Sequence, residues 1–250
     1  MNNLTGKIAV VTGASKGIGA SIAEHLAAAG ASVVVNYASS KTGADAVVDR
    51  ITAQGGKAIA VQGDVSNAAD VVKLFSETKK AYGKLDILVN NAGVFEFLPL
   101  AEITPEHFHR QFNLNVLGLL LTTQEAVKLI GPDGGSIVNV SSIVGPMPLP
   151  MAAVYSATKA AVDAISVSLA SELGAKKIRV NSINPGMVET EGLRSAGLAE
   201  GEFRKHAEET TPLGRIAQPQ DIAKAVVFFA SDDAGWVTGQ TLILSGGARQ

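Results

Sequence analysis

Short runs rich in valine and isoleucine alternate with longer stretches of helical period along the whole chain, and no other feature limits the possible folds as much. The runs are "KIAVVTG" from Lys7, "ASVVVNY" from Ala31, "KAIAVQGD" from Lys57, "LDILVNNAG" from Leu85, "SIVNVSS" from Ser136, "IRVNSINPG" from Ile178 and "TLILSGG" from Thr241. Between them, helical spacing predicts helices over 18–29, 42–53, 68–81, 105–130, 152–173 and 219–230. Strands that are almost continuously apolar, separated by helices, imply a parallel sheet covered on both faces. The expectation is an α/β protein with a doubly wound sheet of about seven strands. The 250 residues contain no linker, low-complexity tract or charge block, so a single domain over 1–250 is expected.

Polar or glycine residues follow the strands almost at once: Thr12 and Gly13, Asn36, Gly63 and Asp64, Asn90 and Asn91, Ser141 and Ser142, then Asn184, Pro185 and Gly186. In a doubly wound sheet the carboxyl ends of the strands share one edge, where ligands bind. Residues scattered in sequence would therefore line one crevice.

The first of these turns is "TGASKGIG", with Gly13, Ser15, Lys16, Gly17, Ile18 and Gly19 between a strand and a helix. Glycines there permit a tight turn and close backbone approach, and the helix amino end suits a pyrophosphate. An acidic residue at the end of the second strand would accept from the ribose 2′-hydroxyl of NAD. This chain has Asn36 instead, followed by Tyr37, Ala38 and Ser39, and Lys16 adds a positive charge in the loop. The expected cofactor is NADP(H) in preference to NAD(H), which remains possible.

"AAVYSATKAAVDAI" from Ala152 places Tyr155 and Lys159 four apart on a predicted helix. Such residues share a face, with Cβ atoms ~5–6 Å apart. A free phenol has a pKa of ~10, too high to exchange protons readily at neutral pH. A lysine charge ~4 Å away contributes about 4 kcal/mol at an effective dielectric of ~20. Burial opposes it, and the expectation is that the charge prevails, with Tyr155 titrating nearer neutrality, if the crevice stays partly wet and the positive nicotinamide of an oxidised cofactor adds its field. Ser142, thirteen residues earlier at a strand end, could hold a substrate oxygen against the phenol; its neighbour Ser141 is the competitor.

Together, "TGASKGIG", "NNAG" at Asn90, Asn115 in "NLNVLG", Ser142, "YSATK" at Tyr155, "NPGMVET" at Asn184, "PLGRIAQPQDIAKAVVFFAS" and "VTGQTL" resemble the single-domain branch of the short-chain dehydrogenase/reductase family, from Lys7 to Gly247. The resemblance implies a Rossmann-type fold and hydride transfer between NAD(P) and a carbonyl or alcohol. It favours Ser142 over Ser141. It gives Lys159 a second role at the nicotinamide ribose, and Asn115 a role supporting a water chain to that lysine. By the same resemblance Asp64 and Val65 contact the adenine, and Asn91, Ala92 and Gly93 pack beside the ribose. Pro185, Gly186, Val188 and Thr190 hold the nicotinamide, and Asn90 ties neighbouring strands together. Ser245 stands where relatives often carry aspartate.

Substrate would meet the apolar, proline-bearing run "IVGPMPLPMAA" from Ile143, and 187–212 would form a lid. The 105–130 helix has more apolar surface than one core-facing stripe requires, and the family commonly forms tetramers through it; a homotetramer is expected. Trp236 is expected to pack near the carboxyl end or at an interface.

Several classes are disfavoured. With 23 acidic against 21 basic residues, a formal charge of -2 and no long basic run, nucleic acid is not an expected partner. Cysteine is absent, which removes disulfides and thiolate chemistry. His107 and His109 are two apart, a poor metal pair, and are expected at the surface; no metal is expected. No run of ~20 apolar residues is present to cross a bilayer, and the amino end is too short in apolar character for a signal peptide, so a cytoplasmic location is expected. The leading function is an NADPH-dependent carbonyl reductase. The alternatives are a 3-oxoacyl-carrier-protein reductase, for which Lys176, Lys177 and Arg179 are the available docking cations, a sugar, polyol or steroid dehydrogenase, or a non-catalytic NADP-binding regulator.

Overall fold

The computed structural model describes residues 3–195, 197 and 199–248. Seven parallel strands form one sheet: β1 (Ile8–Val11), β2 (Ser32–Tyr37), β3 (Lys57–Gln62), β4 (Ile87–Asn90), β5 (Gly135–Val140), β6 (Ile178–Pro185) and β7 (Thr241–Leu244). Their order is β3-β2-β1-β4-β5-β6-β7, so the winding direction reverses between β1 and β4. Register is set by paired apolar residues; Val10 lies between Val34 and Leu88. The Rossmann-type fold expected from the sequence is the one observed.

Alternation along each strand divides the core into two layers. Val11, Val33, Val35 and Val89 pack under α1 (Gly17–Ala28), α2 (Lys41–Ala53) and the late helix Pro219–Ala230. Val10, Val34, Leu88 and Ile137 pack on the other face, under α3 (Ala68–Tyr82) and parts of the later helices.

Local signals fix the helix ends. Asn67 caps α3 by accepting from the Ala69 and Asp70 N–H groups, and Gly83 ends it in the left-handed region at φ 79°. Thr104 accepts from the His107 N–H at the start of α4 (Pro105–Phe112), where Pro105 occupies the first turn.

The helix expected over 105–130 is not continuous. α4 passes through a π turn at Asn113–Leu117 into α5 (Gly118–Leu129). Helical periodicity does not distinguish one wide turn within an otherwise regular helix, and such turns often mark functional sites. The remaining helices are α6 (Ala153–Leu173), α7 (Glu191–Ser195), α8 (Gly201–Thr210) and α9 (Pro219–Ala230). Among the described residues, no helix is long and apolar enough to cross a membrane.

Buried amides and hydroxyls link α5, the sheet and α6. The Asn90 amide donates to Asn139 Oδ1 at 2.9 Å and to Thr123, and accepts from Thr122 at 2.7 Å. Asn139 in turn donates to Ser166 on α6 at 2.8 Å. This is the strand-tying role expected of Asn90.

Three expectations are corrected. His107 is buried, its Nε2 accepting from the Gln111 amide at 2.9 Å, because α4 turns that face inward. Trp236 is fully exposed, so packing near the carboxyl end, one of its two expected settings, is not observed among the described residues. Arg179 is not a docking cation. Its guanidinium donates to the Phe229 and Ser231 carbonyls at 2.8 and 3.1 Å, satisfying the carboxyl end of α9.

Candidate active site

The strand ends open into a cavity of about 1050 Å³, at the upper end of the ~300–1,000 Å³ usual for small-molecule sites. That leaves room for a dinucleotide and a second molecule. The glycine loop, the turns after β2, β3 and β4, the residues after β6, and Ser142, Tyr155 and Lys159 all border it. Of the positions expected to meet the dinucleotide, only Tyr37 does not.

Tyr37 is buried in the core layer beneath α1 and α2. Successive residues of a strand point to opposite faces, and Asn36 takes the inner one. Asn36 borders the cavity, yet its amide is fully engaged: Oδ1 accepts from the Gly13 N–H at 3.2 Å, and Nδ2 donates to the Gly63 and Val61 carbonyls at 3.0 and 3.3 Å. It holds the glycine loop and ties β2 to β3. Contact with a ribose substituent falls instead to Ala38, Ser39, Ser40 and Lys16, which line the same end and carry no acid.

The loop fits a dinucleotide on its own geometry. A Cβ at Gly19 would lie 2.4 Å from Asn91 Nδ2 and 2.6 Å from the Gly13 carbonyl, so only glycine lets this turn close against β4. Asn91 secures it by donating to the Thr12 and Gly13 carbonyls at 2.9 and 3.1 Å. Lys16 at the head of α1 makes no side-chain cap and the first turn has no acid, in contrast to α3 and α4. The amino end of α1 therefore offers N–H groups and positive potential to an anion in the cavity. Asp64 is exposed here and accepts from Ser66, and its neighbour Val65 also borders the space.

At the other end, α6 presents Tyr155 and Lys159 on one face, with the ammonium nitrogen 5.8 Å from the centre of the phenol ring. Lys159 is buried and donates to the Val140 carbonyl at 2.9 Å. Ser141 and Ser142 both border the cavity, but the Ser141 hydroxyl is committed to the Lys159 carbonyl at 3.0 Å.

Asn115 lies off the main cavity. It borders a closed space of about 10 Å³ beside Lys159, at the limit of one water. Its Oδ1 accepts from the Val94 N–H at 2.9 Å, and its Nδ2 donates to the Val94 carbonyl at 2.9 Å and to Thr158 at 3.0 Å. The side chain thus pins the turn after β4 to the π turn and to α6.

Phe95 and Phe97 were not anticipated. Their ring centres lie 6.0 and 6.1 Å from that of Tyr155 and 5.7 Å from each other. The alternation in "VFEF" after "NNAG" is the signal that could have found them. Met187, Leu193 and Phe203 from the 187–212 segment, together with Leu149, extend this apolar wall. Ala196 and Leu198 of that segment lie outside the described residues.

A family model described as enoyl-(acyl carrier protein) reductase matches residues 13–249. An uncharacterised oxidoreductase of Methylorubrum extorquens is 58% identical over the full length of both chains. A hydroxynaphthalene reductase-like protein of Metarhizium robertsii is 42% identical, covering 98% of this chain and 96% of its own. An angucycline C-6 ketoreductase solved with bound NADP superposes with a TM-score of 0.92 at 40% identity, covering 98% and 96% of the two chains. The chain belongs to the short-chain dehydrogenase/reductase family.

As a member of that family it is an NAD(P)-dependent oxidoreductase acting on carbonyl and alcohol groups. The electrostatics of this dehydrogenase/reductase differ from the sequence expectation. Burial pushes the Tyr155 phenol up to about 12, while its hydrogen bond with Ser142 pulls the other way. Burial pushes Lys159 down to about 8, partly offset by the Asp163 carboxylate. Desolvation is the dominant influence on the phenol here, and the ammonium is committed to the Val140 carbonyl. The chain therefore presents a protonated phenol at neutral pH.

Proposed function

We propose that the chain is an NADPH-dependent ketone reductase in which Tyr155 donates the proton. The observation that supports this reading is Ser142, Tyr155 and Lys159 together at one end of a cavity whose other end is the glycine loop. A bound nicotinamide dinucleotide supplies the hydride. Ser142 holds the substrate oxygen and Tyr155 gives it a proton. A protonated phenol suffices in this direction, because the alkoxide formed is a stronger base than the phenolate. Lys159 stabilises negative charge developing on the phenol and reaches the nicotinamide ribose, and Asn115 keeps the polar space behind it in shape.

Lys16, Ser39 and Ser40 favour a 2′-phosphate over a free hydroxyl, supporting NADP(H) over NAD(H); the related ketoreductase bound to NADP agrees. Asp64, Val65, Asn91, Ala92 and Gly93 would bind the adenosine half, and Pro185, Gly186, Val188 and Thr190 the nicotinamide. Phe95, Phe97 and Phe203 suit a flat, apolar ketone, the substrate type named in the hydroxynaphthalene and angucycline relatives. The segment 187–212 would close over it as a lid. We further read the chain as a cytoplasmic homotetramer. Phe108, Leu117 and Val167 on one side, and Phe228, Trp236, Leu242 and Ile243 around edge strand β7, are exposed apolar residues that copies of the chain would cover.

The description of the matching family model favours an acyl thioester as the second reading. Loss of nicotinamide absorbance with NADPH or NADH, measured on bicyclic aromatic ketones, aliphatic ketones, 3-oxoacyl thioesters and enoyl thioesters, separates the two. Turnover of thioesters alone would displace the ketone reading. Turnover of none of them would return the chain to a non-catalytic binder.

A further inference from the structure

We propose that Asp163 is a positioning residue for proton transfer, holding Ser142 through Asn184 and holding the charge of Lys159 from one turn along α6. This rests on the roles given above to Ser142, Tyr155 and Lys159. The Asp163 carboxylate accepts from Asn184 Nδ2 at 2.7 Å and from Ser182 Oγ at 2.8 Å. The second hydrogen of the Asn184 amide goes to the Ser142 carbonyl at 3.2 Å. Asn184 and Ser182 are completely buried, so these donors have no water to fall back on. Adjacent backbone bonds close the arrangement: the Ile143 N–H donates to the Pro185 carbonyl at 2.9 Å, and a Cβ at Gly145 would lie 3.1 Å from Asp163 Oδ2. The turn carrying Ser142 is thereby fixed to β6 and α6 by a carboxylate that does not itself line the cavity.

The same carboxylate acts on Lys159, its neighbour at i,i+4. Around the ammonium, α6 contributes Tyr155 and Asp163, β5 contributes the Val140 carbonyl, and the π turn and the turn after β4 contribute Asn115 and Gly93. Among these, Asp163 is the one acidic side chain, and it offsets the burial that favours a neutral lysine. Removing it should loosen Ser142 and let Lys159 lose its proton earlier.

The test compares kcat against pH for the wild type, Asp163→Asn, Asp163→Glu, Asn184→Ala and Tyr155→Phe, with NADPH affinity measured by fluorescence. Asp163→Asn is expected to lower kcat roughly tenfold and move the alkaline limb down by about one pH unit, with NADPH affinity unchanged. Asn184→Ala should lower kcat similarly but leave the limb in place, and Asp163→Glu should restore the limb. If Asp163→Asn does not fold, the last two variants still decide. The proposal is overturned by an unshifted limb in Asp163→Asn, by wild-type kcat in Asn184→Ala, or by a shifted limb in Asp163→Glu. Full turnover in Tyr155→Phe would instead sink the underlying catalytic reading.

Discussion

The Lys159 ammonium sits 5.8 Å from the centre of the Tyr155 ring while bonded to the Val140 carbonyl at 2.9 Å. The pair is thus a buried cation beside a protonated phenol, and the two groups respond to pH in opposite senses. Lys159 titrates at about 8 in the folded chain against an ordinary 10.5, so between these values the unfolded chain binds more protons and stability rises with pH. Tyr155 at about 12 against 10.0 reverses the trend above pH 10. On the proposed mechanism, ketone reduction should therefore fall from pH 8 to 10 while the melting temperature rises relative to Lys159→Met. Parallel melting curves for the two proteins across that range would refute the assignment.

Tyr155→Phe removes the proposed proton donor and keeps the packing against Phe95 and Phe97. Turnover should drop about 10²- to 10⁴-fold with the melting temperature within a few degrees of the wild type. Steady-state kinetics and circular dichroism on the same samples check both halves.

Cofactor choice should respond to the residues beyond Asn36, because the amide of Asn36 is already spent on Gly13, Val61 and Gly63. Lys16→Ala is expected to raise KM for NADPH about tenfold and leave NADH within twofold, the effect of losing one charge-assisted contact. Ala38→Asp should act in the same direction and improve NADH. Equal effects on the two cofactors in either variant would contradict this.

Arg179→Leu exposes the opposite kind of role. It strips donors from the Phe229 and Ser231 carbonyls and should cost about 1–3 kcal/mol in urea unfolding. The kinetic constants should not change, since the residue lies away from the cavity.

Trp236 is completely exposed at the β7 side of the molecule. Light scattering should give a mass near four copies of the 25.7 kDa chain, and Trp236→Glu should reduce it. A monomeric wild type would leave these apolar residues without an explanation.

The sheet, its helices and the crevice were legible because short, almost continuously apolar runs alternate with stretches of 3.6 period, and because polar residues stop each strand. The shared helix face of Tyr155 and Lys159 was legible by spacing, while the choice of Ser142 came from the family resemblance. What spacing could not convey was competition for hydrogen bonds. Asn36 and Asn115 stand at the expected places, but neighbouring backbone claims their amides. The π turn at Asn113–Leu117 was hidden because it preserves the apolar pattern on either side. Phe95 and Phe97 were marked only by the short alternation in "VFEF", and Asp163 meets partners distant in sequence that no local pattern announces. The weight of burial on Tyr155 in the chain alone was not legible either, since burial depends on what other segments bring.

The Asn90–Asn139–Ser166 chain of amides and hydroxyl has a consequence for how this protein can change. Each member spends its donors on the next, so replacing one by an apolar residue strands a neighbour in the interior. Substitutions there would be tolerated only as coordinated sets. Between related proteins these positions should vary together or not at all, while the aromatic wall around the substrate is free to drift one residue at a time.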